Sequence, residues 1–292
     1  MRVLVTGASG WIGRAVVPEL IAAGHEVTGL ARSDASAAAV EAAGARVLRG
    51  DLTDLAVLRA GAEAADGVVH LAFVHDFTRF TEAVEIDAKA IAAFGDVLAG
   101  TGKPLVVTAG TPFVEGRSST EHDGLAPTGA PGDRGGNVAL ALGLAERGVR
   151  VSVLRLPRSV HGEGDHGFLA MLVAAARSAG VALHAGDGSQ RWPAVHVADA
   201  ARLYRVALER AEAGAVLHAV GDEGVPLREV AEVIGRRLGV PATGGDVSGL
   251  GFVGALMGVD QPSSAALTAE SFDWRPTGPG LLADLEAGHY FA

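Results

Sequence analysis

The chain has 292 residues, of which 49% are hydrophobic and 20% are charged, so it can bury a substantial core. A formal net charge of −10 without a basic stripe argues against nucleic-acid binding, and the absence of cysteine excludes disulfides and thiolate chemistry. No apolar run approaches the roughly 18 residues of a membrane span, and the sequence opens on a strand pattern instead of a signal segment, so we expect a cytoplasmic protein without a membrane partner.

Short β-branched runs alternate with amphipathic helical runs through the first half of the chain. We predict buried strands at 3–5, 27–30, 47–48, 68–71, 105–108 and 151–156. Between the first two, Ile12, Val16 and Leu20 recur at four-residue spacing, which is typical of a helix with one apolar stripe. The alternation predicts an α/β fold with a Rossmann-type, doubly wound parallel sheet.

The pattern changes after residue 156. We predict three helices and one strand there, at 168–177, 199–211, 227–238 and 216–220. Residues 117–137 are rich in glycine and proline and are predicted to be an irregular loop. Because no linker is evident, we predict one integrated domain, with a dinucleotide-binding part at 1–156 and a smaller, mainly substrate-binding part at 157–292.

A glycine-rich segment directly follows the first predicted strand and opens the first helix. Gly7 permits a tight turn, Gly10 lets the backbone approach a pyrophosphate, and Gly13 allows close helix packing. The helix N-terminus adds a positive dipole end. The predicted phosphate-binding residues are Gly7, Ser9, Gly10, Trp11, Ile12, Gly13 and Arg14.

The end of the second predicted strand bears on the choice between NAD(H) and NADP(H). An NAD-binding unit places an acid there, which accepts a hydrogen bond from the 2′-hydroxyl of the adenosine ribose. Here Arg32 follows the strand and Arg14 stands on the first helix, although Asp34 is close. Two guanidinium groups favour a 2′-phosphate, so we predict NADP(H) in preference to NAD(H).

Further motifs lie along almost the whole chain. They are the glycine motif, Gly50-Asp51-Leu52, Val69-His70-Leu71-Ala72, and the segments 107–116, 154–162, 192–199 and 272–276. Together they resemble the short-chain dehydrogenase/reductase superfamily, in particular its extended and atypical, epimerase/dehydratase-like branch. The resemblance implies cofactor contacts at Asp51, Leu52, Leu71, Ala72, Thr108, Leu156, Pro157 and Arg158.

The catalytic pair of that superfamily, a tyrosine and a lysine four residues apart on the helix after the fifth strand, is absent. The first tyrosine is Tyr204, and no lysine follows Lys103. The resemblance places Thr111 on the position of the Ser or Thr that orients the substrate oxygen. Histidine titrates near neutrality and arginine can stabilise an oxyanion. The candidate replacements are therefore His75, His122, His161 and Arg134.

Three functions remain open from the sequence. The first is an atypical NADP(H)-dependent oxidoreductase acting on a small carbonyl or alcohol, with a non-standard acid/base. The second is a non-catalytic NADP(H)-binding sensor, and the third is a redox-neutral epimerase, lyase or cyclase that retains the cofactor. We expect a small-molecule substrate and no metal, because the acids and histidines at 161–166 lack a ligand spacing. Helices on the sheet faces would allow a homodimer.

Overall fold

A computed structural model describes residues 1–75, 79–124 and 134–292. The chain divides into two compact units, neither of which is one continuous segment. Unit 1 comprises Met1–Ala109, Gly124–Arg155 and Ala201–Leu217, and unit 2 comprises Gly110–Asp123, Leu156–Ala200 and His218–Ala292. Within the described ranges, no helix is long and apolar enough to cross a membrane.

The strands, in chain order, are β1 (Arg2–Thr6), β2 (Glu26–Ala31), β3 (Arg46–Arg49), β4 (Gly67–His70), β5 (Pro104–Gly110), β6 (Arg150–Leu156), β7 (Ser159–His161), β8 (Ala182–Ala185), β9 (Arg191–His196), β10 (Ala215–His218), β11 (Asp222–Pro226) and β12 (Ala242–Gly245).

The α-helices are α1 (Gly13–Ala22), α2 (Asp34–Ala42), α3 (Leu55–Ala64), α4 (Phe80–Leu98), α5 (Arg134–Gly143), α6 (Phe168–Ala179), α7 (Val197–Arg210), α8 (Leu227–Leu238), α9 (Gly251–Met257), α10 (Ala266–Phe272) and α11 (Leu281–Ala287). Short 3₁₀ turns lie at Leu144–Arg147, Ser248–Leu250 and His289–Phe291.

A seven-stranded sheet of order β10-β6-β5-β4-β1-β2-β3 is the framework of unit 1, apart from the last residue of β5, β6 and β10. The pairs β1–β2, β1–β4, β2–β3 and β4–β5 are all parallel. Their side chains are buried on both faces because helices cover the sheet, as Leu4, Ile91 and Phe94 in the core show. This arrangement confirms the predicted Rossmann-type α/β fold. It also aligns the carboxyl ends of β1, β2, β4 and β5 at one edge, where ligands bind in such sheets.

Unit 2 contains two smaller sheets. In the first, β9 pairs antiparallel with β11 and parallel with β7, and in the second β8 pairs parallel with β12. Trp192 of β9, Leu169 of α6, and Val230 and Ile234 of α8 belong to one buried apolar cluster. The apolar residues whose spacing predicted α8 from the sequence therefore form the face that this helix buries.

The structure corrects two details of the predicted elements. Helix α5 begins at Arg134, inside the segment 117–137 that we predicted to be irregular, while residues 125–133 of that segment lie outside the described residues. The strand predicted at 216–220 is found at Ala215–His218. In α5, tertiary hydrogen bonds from Asn137 outweigh the low helix propensity of Gly135 and Gly136.

Candidate cofactor and active site

The turn after β1 has the shape of a phosphate-binding loop. Gly7 has a φ of +69°, and a Cβ there would lie 2.8 Å from the backbone nitrogen of Ala72. A Cβ on Gly13 would lie 2.1 Å from the carbonyl oxygen of Gly7. Gly10 is exposed, and a Cβ there would meet only that same oxygen, at 3.2 Å. The loop is therefore closed beneath and open above Gly10, which fits a dinucleotide pyrophosphate.

The other predicted loop residues continue into α1. Ser9, Trp11 and Ile12 are half-buried, and the N–H of Arg14 donates to the carbonyl oxygen of Gly10 at 2.9 Å. Nε of Arg14 donates to the carbonyl oxygen of Ser9 at 3.1 Å. The exposed guanidinium of Arg14 is thus hydrogen-bonded to the backbone of the loop.

The carboxyl ends of β2 and β3 carry a group of arginines. Arg32 is exposed directly after β2, and Arg49, the last residue of β3, lies opposite Ala31 in the parallel register. Arg49 donates a hydrogen bond to Asp34. The negative charge of Asp34, which weakened the sequence argument for NADP(H), is therefore partly neutralised by Arg49. Sequence reasoning missed Arg49, although a basic residue ending the third predicted strand was a visible signal.

The segments after β3 and β4 are ordered by local hydrogen bonds. Oδ1 of Asp51 accepts from the backbone N–H and from the hydroxyl of Thr53, both at 3.0 Å, which fixes the turn that carries Leu52. The N–H of Leu71 donates to the carbonyl oxygen of Thr6 at 3.3 Å, and both Leu71 and Ala72 are half-buried beside the loop glycine.

A buried polar network runs from β1 through β4 to α4 and α5. Nδ1 of His70 lies 2.7 Å from the hydroxyl oxygen of Thr6, and Nε2 of His70 lies 3.1 Å from Oδ1 of Asp87. Because the carboxylate only accepts, Nε2 carries a proton, and in the neutral ring Nδ1 accepts from Thr6. The Thr6 oxygen also accepts from the N–H of Ala72 at 3.2 Å, and Asn137 donates to Oδ2 of Asp87 at 2.6 Å.

The carboxyl group of Asp87 remains charged in this network. Burial by itself would raise its pKa, but the hydrogen bonds from His70 and Asn137 outweigh burial and leave the pKa lowered. The network therefore places a fixed negative charge behind the carboxyl edge of the sheet.

Thr108, near the end of β5, is held on two sides. Its hydroxyl donates to the carbonyl oxygen of His70 at 2.8 Å, so the hydroxyl of Tyr204, also at 2.8 Å, donates to Thr108. Burial raises the pKa of Tyr204 well above its usual range. Tyr204 thus stays protonated and orients Thr108.

Arg134 opens α5 next to this threonine. Its Nη2 donates to the carbonyl oxygen of Thr108 at 3.3 Å, and its guanidinium carbon lies 4.0 Å from the ring centroid of Phe73. Burial lowers the pKa of Arg134, and the negative charge of Asp87 opposes this effect. Among the residues that the structure describes, no carboxylate bonds to it directly. A half-buried cation therefore stands at the carboxyl end of β5.

Thr111 follows β5 directly and belongs to unit 2. Its N–H donates to the carbonyl oxygen of Leu156 at 2.9 Å, and its own carbonyl oxygen accepts from Nε2 of Gln261 at 2.7 Å. Its hydroxyl is buried and has no hydrogen-bond partner within the described ranges. A buried donor without an acceptor is costly, so this hydroxyl has an unmet hydrogen bond that a ligand or a water molecule would satisfy.

Arg158 lies shortly after β6, behind the buried Pro157. Its Nη2 donates to Oε1 of Gln261, and its guanidinium carbon lies 5.7 Å from the ring centroid of Trp192. Burial lowers the pKa of Arg158 to about 10.

The three candidate histidines differ in environment. His75 is exposed in unit 1, with its ring centroid 5.5 Å from that of Phe73, and His122 is exposed in a turn of unit 2. His161 is fully buried in unit 2, and its Nδ1 lies 2.9 Å from Oδ2 of Asp284. No group of three histidines and acids in the described part of the chain could hold a metal ion.

Comparisons with known proteins agree with this architecture. The model of the NAD dependent epimerase/dehydratase family matches residues 3–115 and 138–220. The protein C2A9.02 of Schizosaccharomyces pombe is 44% identical over 299 residues, which cover 100% of both chains.

More distant similarities extend to proteins with named activities or ligands. The 4-hydroxy-2-methyl-3-oxo-4-farnesyl-3,4-dihydroquinoline-1-oxide ketoreductase of Stigmatella aurantiaca is 28% identical over 258 residues, covering 85% of this chain and 76% of its own. The solved structure of MoeE5 in complex with UDP-glucose and NAD has the same fold, with a TM-score of 0.79 and 24% identity over 99% of this chain and 97% of that chain.

Proposed function

Because this chain belongs to the NAD-dependent epimerase/dehydratase family, we propose that it is an NADP(H)-dependent oxidoreductase that reduces a small carbonyl substrate without a catalytic tyrosine. The family makes it an NAD(P)-dependent, oxidoreductase-like protein, and the ketoreductase among its relatives supports the reaction class. The loop around Gly10 would hold the pyrophosphate, with Arg14 and Arg32 at the adenosine end. When bound, NADPH supplies a hydride to the carbonyl carbon.

The observation that carries this proposal is the position of Arg134. The sequence spacing of the superfamily expects its tyrosine near residues 134–136, and at residue 134 a guanidinium group lies against the carbonyl oxygen of Thr108. As the carbon accepts a hydride, the carbonyl oxygen gains negative charge. A preorganised cation in a half-buried site stabilises such a charge strongly.

The surroundings of Arg134 hold its side chain in place. The ring of Phe73 and the Thr108 carbonyl hold the guanidinium, and the hydroxyl of Tyr204 fixes Thr108 in turn. A guanidinium does not release its proton near neutrality. In this proposal Arg134 therefore stabilises the developing alkoxide, and water supplies the proton that completes the alcohol.

Thr111 is proposed to donate its hydroxyl hydrogen bond to the substrate oxygen. The support is that this buried hydroxyl has no partner within the described ranges. His75 and His122 are exposed and His161 is tied to Asp284, so the proton is assigned to water in preference to these histidines.

Label transfer tests the proposal. Purified protein would be incubated with NADPH deuterated at the nicotinamide C4, on each face in turn, and with a panel of aldehydes, ketones, enones and imines. We expect deuterium in a product from one face only. Arg134→Met should lower the turnover number by about 10²–10³, as the loss of an oxyanion donor does.

The matched control is Arg147→Met in the same unit, because Arg147 is exposed and paired with Asp96. Tight NADPH binding without label transfer to any substrate would count against a reductase and in favour of a sensor or a redox-neutral enzyme. Equal turnover of the Arg134 and Arg147 variants would remove the assigned role of Arg134.

A further inference from the structure

Unit 2 contains a cation that no acid balances. Arg158 is half-buried, and burial is the one influence that shifts its pKa. Within the described ranges it forms no ion pair. Asp260, which precedes Gln261 in the sequence, is bound to Arg191 instead. Nε and Nη2 of Arg191 lie 3.0 and 2.8 Å from the carboxylate oxygens of Asp260. Arg158 is left with the neutral amide of Gln261.

Two residues connected to Arg158, Trp192 and, through Gln261, Thr111, each carry a donor that lacks an acceptor within the described ranges. Gln261 uses its oxygen for Arg158 and its nitrogen for the carbonyl of Thr111. The indole N–H of Trp192, whose ring centroid lies 5.7 Å from the guanidinium carbon, is fully buried and has no acceptor among the described residues. The hydroxyl of Thr111 is also buried and has no hydrogen-bond partner within the described ranges. A cation together with unsatisfied donors is the chemistry of an anion site.

A purely structural role explains these contacts less well. The distance of 5.7 Å between the Arg158 guanidinium carbon and the Trp192 ring centroid is close to the outer limit of about 6 Å for a cation–π contact. A neutral amide offers one hydrogen bond and no opposite charge. Neither interaction replaces the hydration that a half-buried guanidinium loses.

We propose that Arg158 binds a carboxylate group of the substrate, so that the substrates are short oxo acids and the products hydroxy acids. This inference rests on the proposed reductase function. A guanidinium can bind a carboxylate through two parallel hydrogen bonds. The side-chain amide of Gln261 bonds to both Arg158 and the carbonyl oxygen of Thr111. Because one amide bridges the two residues, a short acid held by Arg158 would lie near the Thr111 hydroxyl.

An anion at Arg158 has two sources. The sequence resemblance assigned this residue to the cofactor, whose phosphates are also anions. The proposal commits to the substrate carboxylate, and the two sources are distinguished by the affinity for NADPH.

The test uses levulinate as the acid probe and methyl levulinate as its uncharged match. Binding to the full chain with saturating NADPH would be followed by NMR of the levulinate signals, in wild type, Arg158→Gln and Arg158→Lys. The control is Arg228→Gln, which removes an exposed charge from the same unit. We expect saturable levulinate binding that Arg158→Gln weakens by at least about tenfold, that Arg158→Lys partly restores, and that Arg228→Gln leaves unchanged.

Methyl levulinate should bind all four proteins equally weakly, and the NADPH dissociation constant should be the same in all. Levulinate binding that is absent, or equal in wild type and Arg158→Gln, overturns the carboxylate site. A weaker affinity for NADPH in Arg158→Gln overturns it in favour of a cofactor phosphate. Levulinate binding with no deuterium transfer to any carbonyl compound would count against the reductase function alone.

Discussion

Gly10 and Gly13 lie on one loop but have different structural constraints. A Cβ on Gly13 would overlap the carbonyl oxygen of Gly7 at 2.1 Å, whereas a Cβ on Gly10 would come no closer than 3.2 Å to that atom. Gly13 is therefore required by the fold itself. Gly10 is required by whatever approaches the loop from the open side.

This difference predicts two separable phenotypes. Gly10→Ala should fold like wild type and lose at least about tenfold in NADPH affinity, because the methyl group occupies the approach of the pyrophosphate. Gly13→Ala should lower the free energy of unfolding by about 1–3 kcal/mol or more, because backbone must move. Fluorescence titration of NADPH and urea unfolding measure the two effects.

Gly143→Ala is the control, since nothing lies within 4 Å of a Cβ there. Wild-type NADPH affinity in Gly10→Ala would show that the pyrophosphate does not approach this side of the loop.

Local spacing was sufficient to predict some site residues and insufficient for others. The glycine loop and Arg32 were predicted as cofactor contacts because their meaning depends on neighbours within one strand–turn–helix unit, and these roles stay predictions. The family match confirms the superfamily resemblance that the motifs carried. The partnership of His70 with Asp87 and Asn137 was not found. Asp87 is 17 residues from His70 and 50 from Asn137, and no periodicity connects positions on different elements.

At the scale of elements, burial decides which strands the sequence reveals. Strands β1 to β6 were predicted because the central sheet is covered on both faces and its strands are continuously apolar. The five strands β7, β8, β9, β11 and β12 were not predicted. They have three to six residues, and several include glycine, proline or charged residues, so they lack a readable alternation. Their pairing comes from tertiary contacts.

The Asp87 network fastens α4 and α5 to the sheet, and its contribution depends on pH. The folded-state pKa of Asp87 is lowered below the unfolded value of about 3.9. The stabilisation is therefore fully present above pH 4 and is lost as the pH falls through the lowered pKa. Asp87→Asn should lower the free energy of unfolding at pH 7 by about 1–3 kcal/mol, because the asparagine has one acceptor oxygen for two buried donors, His70 and Asn137.

Urea unfolding at pH 7 and at successively lower pH measures this effect, and the difference between wild type and Asp87→Asn should shrink below pH 4. Asp96→Asn is the control on the same helix, since its exposed ion pairs contribute about 1 kcal/mol or less. A difference that stays constant with pH would mean that the charge of Asp87 contributes nothing.

At the scale of the whole molecule, cofactor recognition works against the net charge. A chain with a formal charge of −10 repels a polyanionic dinucleotide at long range. The exposed Arg14 and Arg32 form a local exception around the end of β2 and the start of α1, where Arg49 offsets the charge of Asp34. The preference for NADP(H) stays a prediction, and local positive charge in a negative field is the physical basis on which we make it.

Thermal unfolding with each cofactor tests this preference. A ligand at 100 times its dissociation constant stabilises the folded state by about 2.7 kcal/mol, which corresponds to a rise in Tm of about 4 °C for a chain of this size. At equal concentrations, NADPH should raise the Tm more than NADH. Arg32→Ala should remove most of that difference by weakening NADPH alone, because a lost charge-assisted hydrogen bond costs about 1.5–3 kcal/mol.

The exposed Arg147→Ala is the charge-matched control, and both series would be run at constant ionic strength because surface charges are screened by salt. If Arg32→Ala weakened both cofactors equally, Arg32 would contact a group that they share. If NADH stabilised the wild type as much as NADPH, the arginine cluster would not read the 2′-phosphate, and the predicted preference for NADP(H) would be wrong.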